Sequence, residues 1–235
     1  MSSSDNILFY LGCTAGATFL YAAYTLIKPI VVPPIHTYPW QLPQDGGYAQ
    51  RQSDKNTTVV IAGSYNPPHR GHLAMITHLA ERYGKVLVVV GMNPNKQYAV
   101  SPHTRADLLR TMLQSLPNVQ VHVVAGYIWR FAKPVQGKIF FRGIRTWEKD
   151  GPEERNLQIL NTWGPLLLGP LWWPIPTQFL EGKPEFNHIS STLIRDLCTK
   201  PGFTIQDVFA LVPESIAAEV VKYYGKPDKS SSSGS

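Results

Sequence analysis

The chain has 235 residues, 43% hydrophobic and 16% charged, with 20 prolines, 18 glycines and 2 cysteines. That length suits one medium-sized domain with an ordinary core and an additional segment. The apolar content excludes a wholly disordered chain, and two isolated cysteines, Cys13 and Cys198, exclude a disulfide scaffold. The net charge of +6 is unevenly spread: between Arg70 and Arg145 there are 11 basic and 2 acidic side chains, whereas residues 146–235 carry 8 and 11. Such a block attracts polyanions. Aromatic residues are not interleaved with its cations, so small phosphorylated ligands are expected and nucleic acid is not.

From Ile7 to Ile27 there are 21 residues without a charge, followed by Lys28 and Pro29. As a helix this stretch is long enough to cross a bilayer about 30 Å thick; a buried core helix is the alternative. The preceding MSSSDN has no basic residue and makes a poor secretory leader. Residues 1–28 are therefore expected to be an N-terminal membrane anchor, with 7–27 as the span. Lys28, Arg51 and Lys55 follow it, which places the domain on the positive-inside side. Residues 29–56 carry Pro29, Pro33, Pro34, Pro39, Pro43, Gly46 and Gly47 and read as a semi-rigid linker. Residues 57–225 form the domain, and 226–235, ending in KSSSSGS, a flexible tail.

Within the domain, 58–63 (TVVIAG) and 86–92 (VLVVVGM) are short, uninterrupted, β-branched runs, the pattern of strands covered on both faces. A helix over 71–83 lies between them. Ser101-Pro102 is an N-cap with proline at the first helical position, opening a helix to about Ser115. Residues 118–124 and 138–141 are further strands, and helices follow near 153–162, 190–198 and 213–224. This alternation predicts an α/β fold: a Rossmann-like parallel sheet with helices on both faces, preceded by one N-terminal transmembrane helix. Ligands of such sheets bind beyond the carboxyl ends of the strands.

Three motifs fall there. Gly63-Ser64-Tyr65-Asn66-Pro67-Pro68-His69-Arg70-Gly71-His72 follows the first strand and opens a helix, so backbone N–H groups and a helix N-terminus face a bound anion, with His72 placed to donate to a phosphoryl oxygen. A loop whose histidines only cap the helix has the same pattern. Phe140-Phe141-Arg142-Gly143-Ile144-Arg145 ends a later strand, and its guanidinium groups suit bidentate phosphate binding, although paired arginines also occur on solvated turns. His188-Ile189-Ser190-Ser191-Thr192 places hydroxyls at a helix N-terminus, where they bind either a phosphate or their own helix.

In this order the motifs resemble the nucleotidyltransferase superfamily with a His-x-Gly-His signature after its first strand, and within it the bacterial-type phosphopantetheine adenylyltransferases. The resemblance covers about 58–224. It includes Asn93-Pro94-Asn95-Lys96, Arg105, Arg142-Gly143-Ile144-Arg145, Ile189-Ser190-Ser191-Thr192 and Leu211-Val212-Pro213. It implies adenylyl transfer from ATP to 4′-phosphopantetheine, giving dephospho-coenzyme A and pyrophosphate. It further implies that Ser64, Lys96, Ile128 and Arg142 face phosphopantetheine. Ser64, Tyr65, His72, Gly143, Arg145, Glu154 and the 186–192 stretch, including Ser190, Ser191 and Thr192, would face ATP. His72, Lys96 and Arg145 would be the catalytic set. The substrate phosphate itself attacks the α-phosphorus, so positioning and charge stabilisation suffice. Mg²⁺ is expected as cofactor, held mainly by ATP phosphates and water, with no metal ligands from the protein.

The chain departs from the family at Asn66, where aspartate is usual, and at Trp147–Glu154, one residue longer than the family's pattern, which bears on Glu154. Residues 161–189 are also longer and rich in tryptophan and proline, with Trp163, Trp172 and Trp173 expected in the core. Two other readings remain: a non-catalytic subunit of this fold in a membrane complex, and a nicotinamide mononucleotide adenylyltransferase, which shares the first and third motifs but not the arginine pair. The anchor points to an organelle membrane, mitochondrial first, and the family to a homo-oligomer or a larger membrane assembly.

Overall fold

The computed structural model describes residues 3–36, 54–92 and 97–225. Six parallel strands form one sheet: β1 (Ile35–His36), β2 (Asp54–Gly63), β3 (Tyr83–Met92), β4 (Val119–Ala125), β5 (Ile139–Ile144) and β6 (Thr177–Glu181), in the order β1-β6-β5-β2-β3-β4. The strand order reverses between β2 and its neighbours β3 and β5, so the ends of β2 and β5 flank the crevice where such sheets take ligands. The Rossmann-like α/β fold expected from the alternating pattern is present.

Burial explains the strand assignments. Val59, Val60, Ile61, Val86, Val88, Val89 and Val90 are at most 3% exposed because helices cover both faces. On one face α2 (Arg70–Arg82), α3 (Pro102–Met112), α6 (Ser191–Cys198), α7 (Gln206–Phe209) and α8 (Glu214–Tyr224) contribute to a core with Ile76, Leu109, Ile194, Val212 and Ile216. On the other, Val60, Leu87, Val89 and Phe140 pack with Trp129 of α4 (Ile128–Ala132), alongside α5 (Trp147–Leu167). Ser101 caps α3 as expected, its hydroxyl accepting from the Thr104 N–H at 3.0 Å, with Pro102 next. Gly84 is required where β3 runs close against the start of β2: a Cβ there would lie 1.8 Å from the Lys55 carbonyl oxygen.

The first helix, α1 (Ser3–Val31), runs past the expected end at 28 with Pro29 inside its last turn, and Pro33-Pro34 follow its end. Tyr10–Val31 is long and apolar enough to cross a membrane by length and composition, and Tyr10, Phe19 and Tyr21 are 68%, 73% and 70% exposed. The C-terminal end of α1 rests on α5, where the Gln158 amide donates to the Pro29 carbonyl at 2.8 Å. The segment read as a linker over 29–56 is thus helical at its start. It adds Ile35–His36 to the sheet edge beside Phe179 and Leu180, and joins β2 at Asp54. Residues 37–53 and 226–235 lie outside the described residues.

One expectation is corrected. The 161–189 span, longer than in the family, contains β6, whose Phe179 and Leu180 are buried. Of the three tryptophans expected in the core, Trp173 is 53% exposed and Trp163 half-buried, whereas Trp172, half-buried, packs on the core edge-on to Trp129, which is fully buried with Tyr127 stacked on it.

Candidate functional site

The turn after β2 is held by side chains from three helices. The Arg105 guanidinium (α3) donates to the Ser64 carbonyl, that of Arg195 (α6) to the Asn66 carbonyl, and the Ser191 hydroxyl to the Pro67 carbonyl at 2.8 Å. The Tyr224 hydroxyl (α8) donates to Asn66 Oδ1 at 2.7 Å. Within this turn Tyr65 is buried, adopts φ +47° and lays its ring edge-on to His72 at 4.9 Å. A left-handed tyrosine is a sparsely populated conformation that persists where its surroundings over-determine it.

His72 lies in the first turn of α2. Its Nδ1 accepts the backbone N–H of His69 at 3.2 Å, so the neutral ring carries its proton on Nε2. Burial, with the neighbouring His69 ring 3.7 Å away between centroids, pushes the His72 pKa well below its ordinary value. His69 is pushed down to about 4 by burial. A neutral histidine is a hydrogen-bond donor that adds no permanent charge.

Arg142, in β5, is bidentate on Glu154 of α5: Nε to Oε2 and Nη2 to Oε1, both 2.7 Å, while Nη1 donates to the Ala62 carbonyl at 2.6 Å. Burial works against its charge, but the hydrogen bond and charge of Glu154 outweigh that and raise its pKa. Arg145 is paired in the same way with Asp150: Nε donates to Oδ2 at 3.2 Å, Nη2 to Oδ1, and its own backbone N–H to Oδ2 at 2.7 Å. The bonds from Arg145 overcome the burial of Asp150 and hold its carboxyl below the usual range.

These groups line two adjoining cavities. The first, of about 250 Å³, is bounded by Ser64, Tyr65, His72, Gly143, Arg145 and Glu154, with Ser190 and Ser191 at its edge. The second, of about 670 Å³, runs past Ile128, Tyr127, Leu157 and Asn161. Ser64 and Arg142 line both. Of the residues expected to face ATP, Ser64, Tyr65, His72, Gly143, Arg145, Glu154, Ser190 and Ser191 line the first cavity while Phe186, Asn187 and His188 line neither; Ser64, Ile128 and Arg142, expected to face phosphopantetheine, line the second. Thr192 does not line either cavity; its hydroxyl accepts from Arg195 at 3.1 Å. Ser190 caps its own helix through the Leu193 N–H at 3.1 Å. Lys96 lies outside the described residues. Among the described residues no group of three or more His, Cys, Asp or Glu side chains is placed to hold a metal ion.

Sequence reasoning missed Asp150 and the cavity-lining Glu153, and gave no role to Arg195. An acidic residue in the first turn of a helix reads as a favourable dipole contact; only its partner distinguishes it.

A family model described as cytidylyltransferase-like matches residues 60–197, the span holding all of these groups except Tyr224. The chain belongs to the cytidylyltransferase-like family. Among its relatives, the phosphopantetheine adenylyltransferase of Gloeothece citriformis is 30% identical over 166 residues, covering 71% of this chain and 98% of that protein. The enzyme of the same name from Actinobacillus pleuropneumoniae is 34% identical over 159 residues, covering 68% and 93%. A solved structure, the Plasmodium falciparum nicotinic acid mononucleotide adenylyltransferase complexed with NaAD, aligns with a TM-score of 0.48 at 13% identity, covering 71% of this chain and 95% of that one. The cytidylyltransferase-like domain therefore accounts for β2 to α6, and α1 precedes it.

Proposed function

We propose that this protein transfers the adenylyl group of ATP to 4′-phosphopantetheine, giving dephospho-coenzyme A and pyrophosphate. The observation that carries the reading is the pair of cavities meeting at Ser64 and Arg142, with a neutral His72 on the nucleotide side. Relatives named phosphopantetheine adenylyltransferase at 30–34% identity support it.

A phosphate oxygen of the acceptor attacks the α-phosphorus of ATP in line, the new P–O bond forms, and the α–β bridging bond breaks to release pyrophosphate. No protein nucleophile is needed. The His72 Nε2–H donates to an α-phosphate oxygen, a bond that strengthens as charge accumulates. Arg142 has three N–H groups engaged with Glu154 and Ala62, and its remaining N–H groups meet the acceptor phosphate. The resemblance assigns Lys96 to the phosphopantetheine side and to stabilising charge on the α-phosphate. Arg145 faces the leaving pyrophosphate. Magnesium would enter with the nucleotide as MgATP and would supply charge neutralisation on its phosphates.

The length, apolar composition and exposure of α1 support a membrane anchor, in an organelle membrane and first of all a mitochondrial one. Resistance of the full chain to alkaline carbonate extraction tests the anchor. The reaction is tested by pyrophosphate release from the full chain in detergent with MgATP, offering 4′-phosphopantetheine and nicotinamide mononucleotide in parallel. Release with phosphopantetheine, lowered about 10²–10³-fold in kcat by His72→Ala with little change in ATP affinity, is expected. Release with the mononucleotide alone overturns the acceptor, and release with neither from folded protein overturns the catalytic reading.

A further inference from the structure

Asp150 has no place in the transfer as described above, yet its carboxylate is closely held at the first cavity. It receives three hydrogen bonds from one residue: the Arg145 backbone N–H at 2.7 Å, Nε at 3.2 Å, and Nη2. Its own N–H donates to the Thr146 carbonyl at 3.1 Å, which fixes it in the first turn of α5. The carboxylate is therefore anchored by backbone at both ends of the β5–α5 turn, and the longer, half-exposed Arg145 side chain is what it orients. With the Nε–Nη2 edge taken by Asp150, the free fork of the guanidinium is the Nη1–Nη2 edge, in a cavity lined by both residues.

We propose that Asp150 is a positioning residue: it aims the free edge of Arg145 at the pyrophosphate end of the nucleotide. A freely rotating arginine would lose rotamer entropy on each binding event and would sample orientations that cannot take a bidentate phosphate. Holding it beforehand removes that cost. The carboxylate also repels phosphate, so its two effects have opposite signs on binding, and positioning is the larger. The fork geometry is the ground for that ranking, because the same carboxylate that adds a negative charge also supplies the plane in which the second fork is presented. The inference rests on Arg145 facing pyrophosphate.

The test is calorimetric binding of inorganic pyrophosphate with Mg²⁺ to the full chain in detergent, for wild type, Asp150→Asn, Arg145→Ala and the double variant. Asp150→Asn is expected to weaken binding about tenfold, the equivalent of one well-oriented charge-assisted bond, and to have no further effect once Arg145→Ala is present. Tighter binding in Asp150→Asn means that repulsion is the larger effect and overturns the proposal. Equal weakening with and without Arg145 assigns Asp150 to the turn's architecture and also overturns it. If Arg145→Ala itself leaves binding unchanged, the reading of Arg145 fails first, and that result is distinct from the other two. Should Asp150→Asn not fold, Arg145→Lys carries the same expectation, since it keeps the charge but cannot hold two edges at once: it should bind about tenfold more weakly, and unchanged affinity would refute orientation as the cause.

Discussion

Replacing Glu154 separates two roles that the sequence leaves entangled. Glu154 is 8% exposed and gives both carboxylate oxygens to Arg142 at 2.7 Å. Glu154→Leu leaves the guanidinium with one protein acceptor, the Ala62 carbonyl at 2.6 Å. Breaking a buried ion pair from one side costs about 3–5 kcal/mol. The Arg142 side chain keeps 19% of its exposure and borders an open cleft, which places the cost near the lower end, about 3 kcal/mol. With a urea m-value of about 2 kcal/mol/M, the denaturation midpoint should fall by about 1.5 M. Adding Arg142→Met should recover most of the loss, short of the roughly 1 kcal/mol bond to Ala62. Urea titration of the full chain in detergent, followed by circular dichroism, reads both. A midpoint shift under about 0.3 M by the same linear extrapolation, together with weakened ATP binding, would refute the structural role and return Glu154 to the nucleotide.

Gly84→Ala should destabilise the fold by about 3 kcal/mol, since a Cβ 1.8 Å from the Lys55 carbonyl oxygen forces β2 and β3 apart; thermal denaturation against wild type measures it. Stability should also fall with acid before the carboxylates titrate. His69 has its pKa depressed to about 4 against 6.5 in the unfolded chain, so the unfolded state binds more protons between those values and stability is lost as pH falls through that window. From His69 alone the loss is about 2 kcal/mol at pH 5. His72 shifts in the same direction, and urea midpoints at pH 7.5 and 5 check the sum.

Legibility in the sequence followed from how each element is buried. β2 and β3 could be read because both faces are covered, which leaves nearly continuous valine and isoleucine. β6 could not: Thr177-Gln178-Phe179-Leu180-Glu181 is mixed in character, and what makes it a strand is its pairing with β5 and with Ile35–His36. The two residues of β1 sit in a proline-rich stretch whose local pattern reads as a spacer. The tryptophans misled for a related reason. Trp129 and Trp173 are chemically alike, and only the seat of Trp129 against Gly164 and Gly169 on α5 and beyond separates the core ring from the exposed one.

The site divides along the same line. Ser64, His72, Arg142 and Arg145 are visible because short motifs follow strands, where a parallel sheet collects its ligand-facing groups. The groups that hold the turn after β2 are harder to read, because nothing near it in the sequence names them as its partners, even where, as at Arg105, the residue itself stands in a motif. Arg105 reaches Ser64 across 41 residues, Arg195 reaches Asn66 across 129, and Tyr224 reaches the Asn66 side chain across 158. Their common effect has a physical use. The carbonyls of Ser64, Asn66 and Pro67 are turned onto protein donors, so lone pairs that would repel a phosphate are already engaged when it arrives. A motif can specify the donors of an anion site, but removing the competing acceptors is the work of the whole fold.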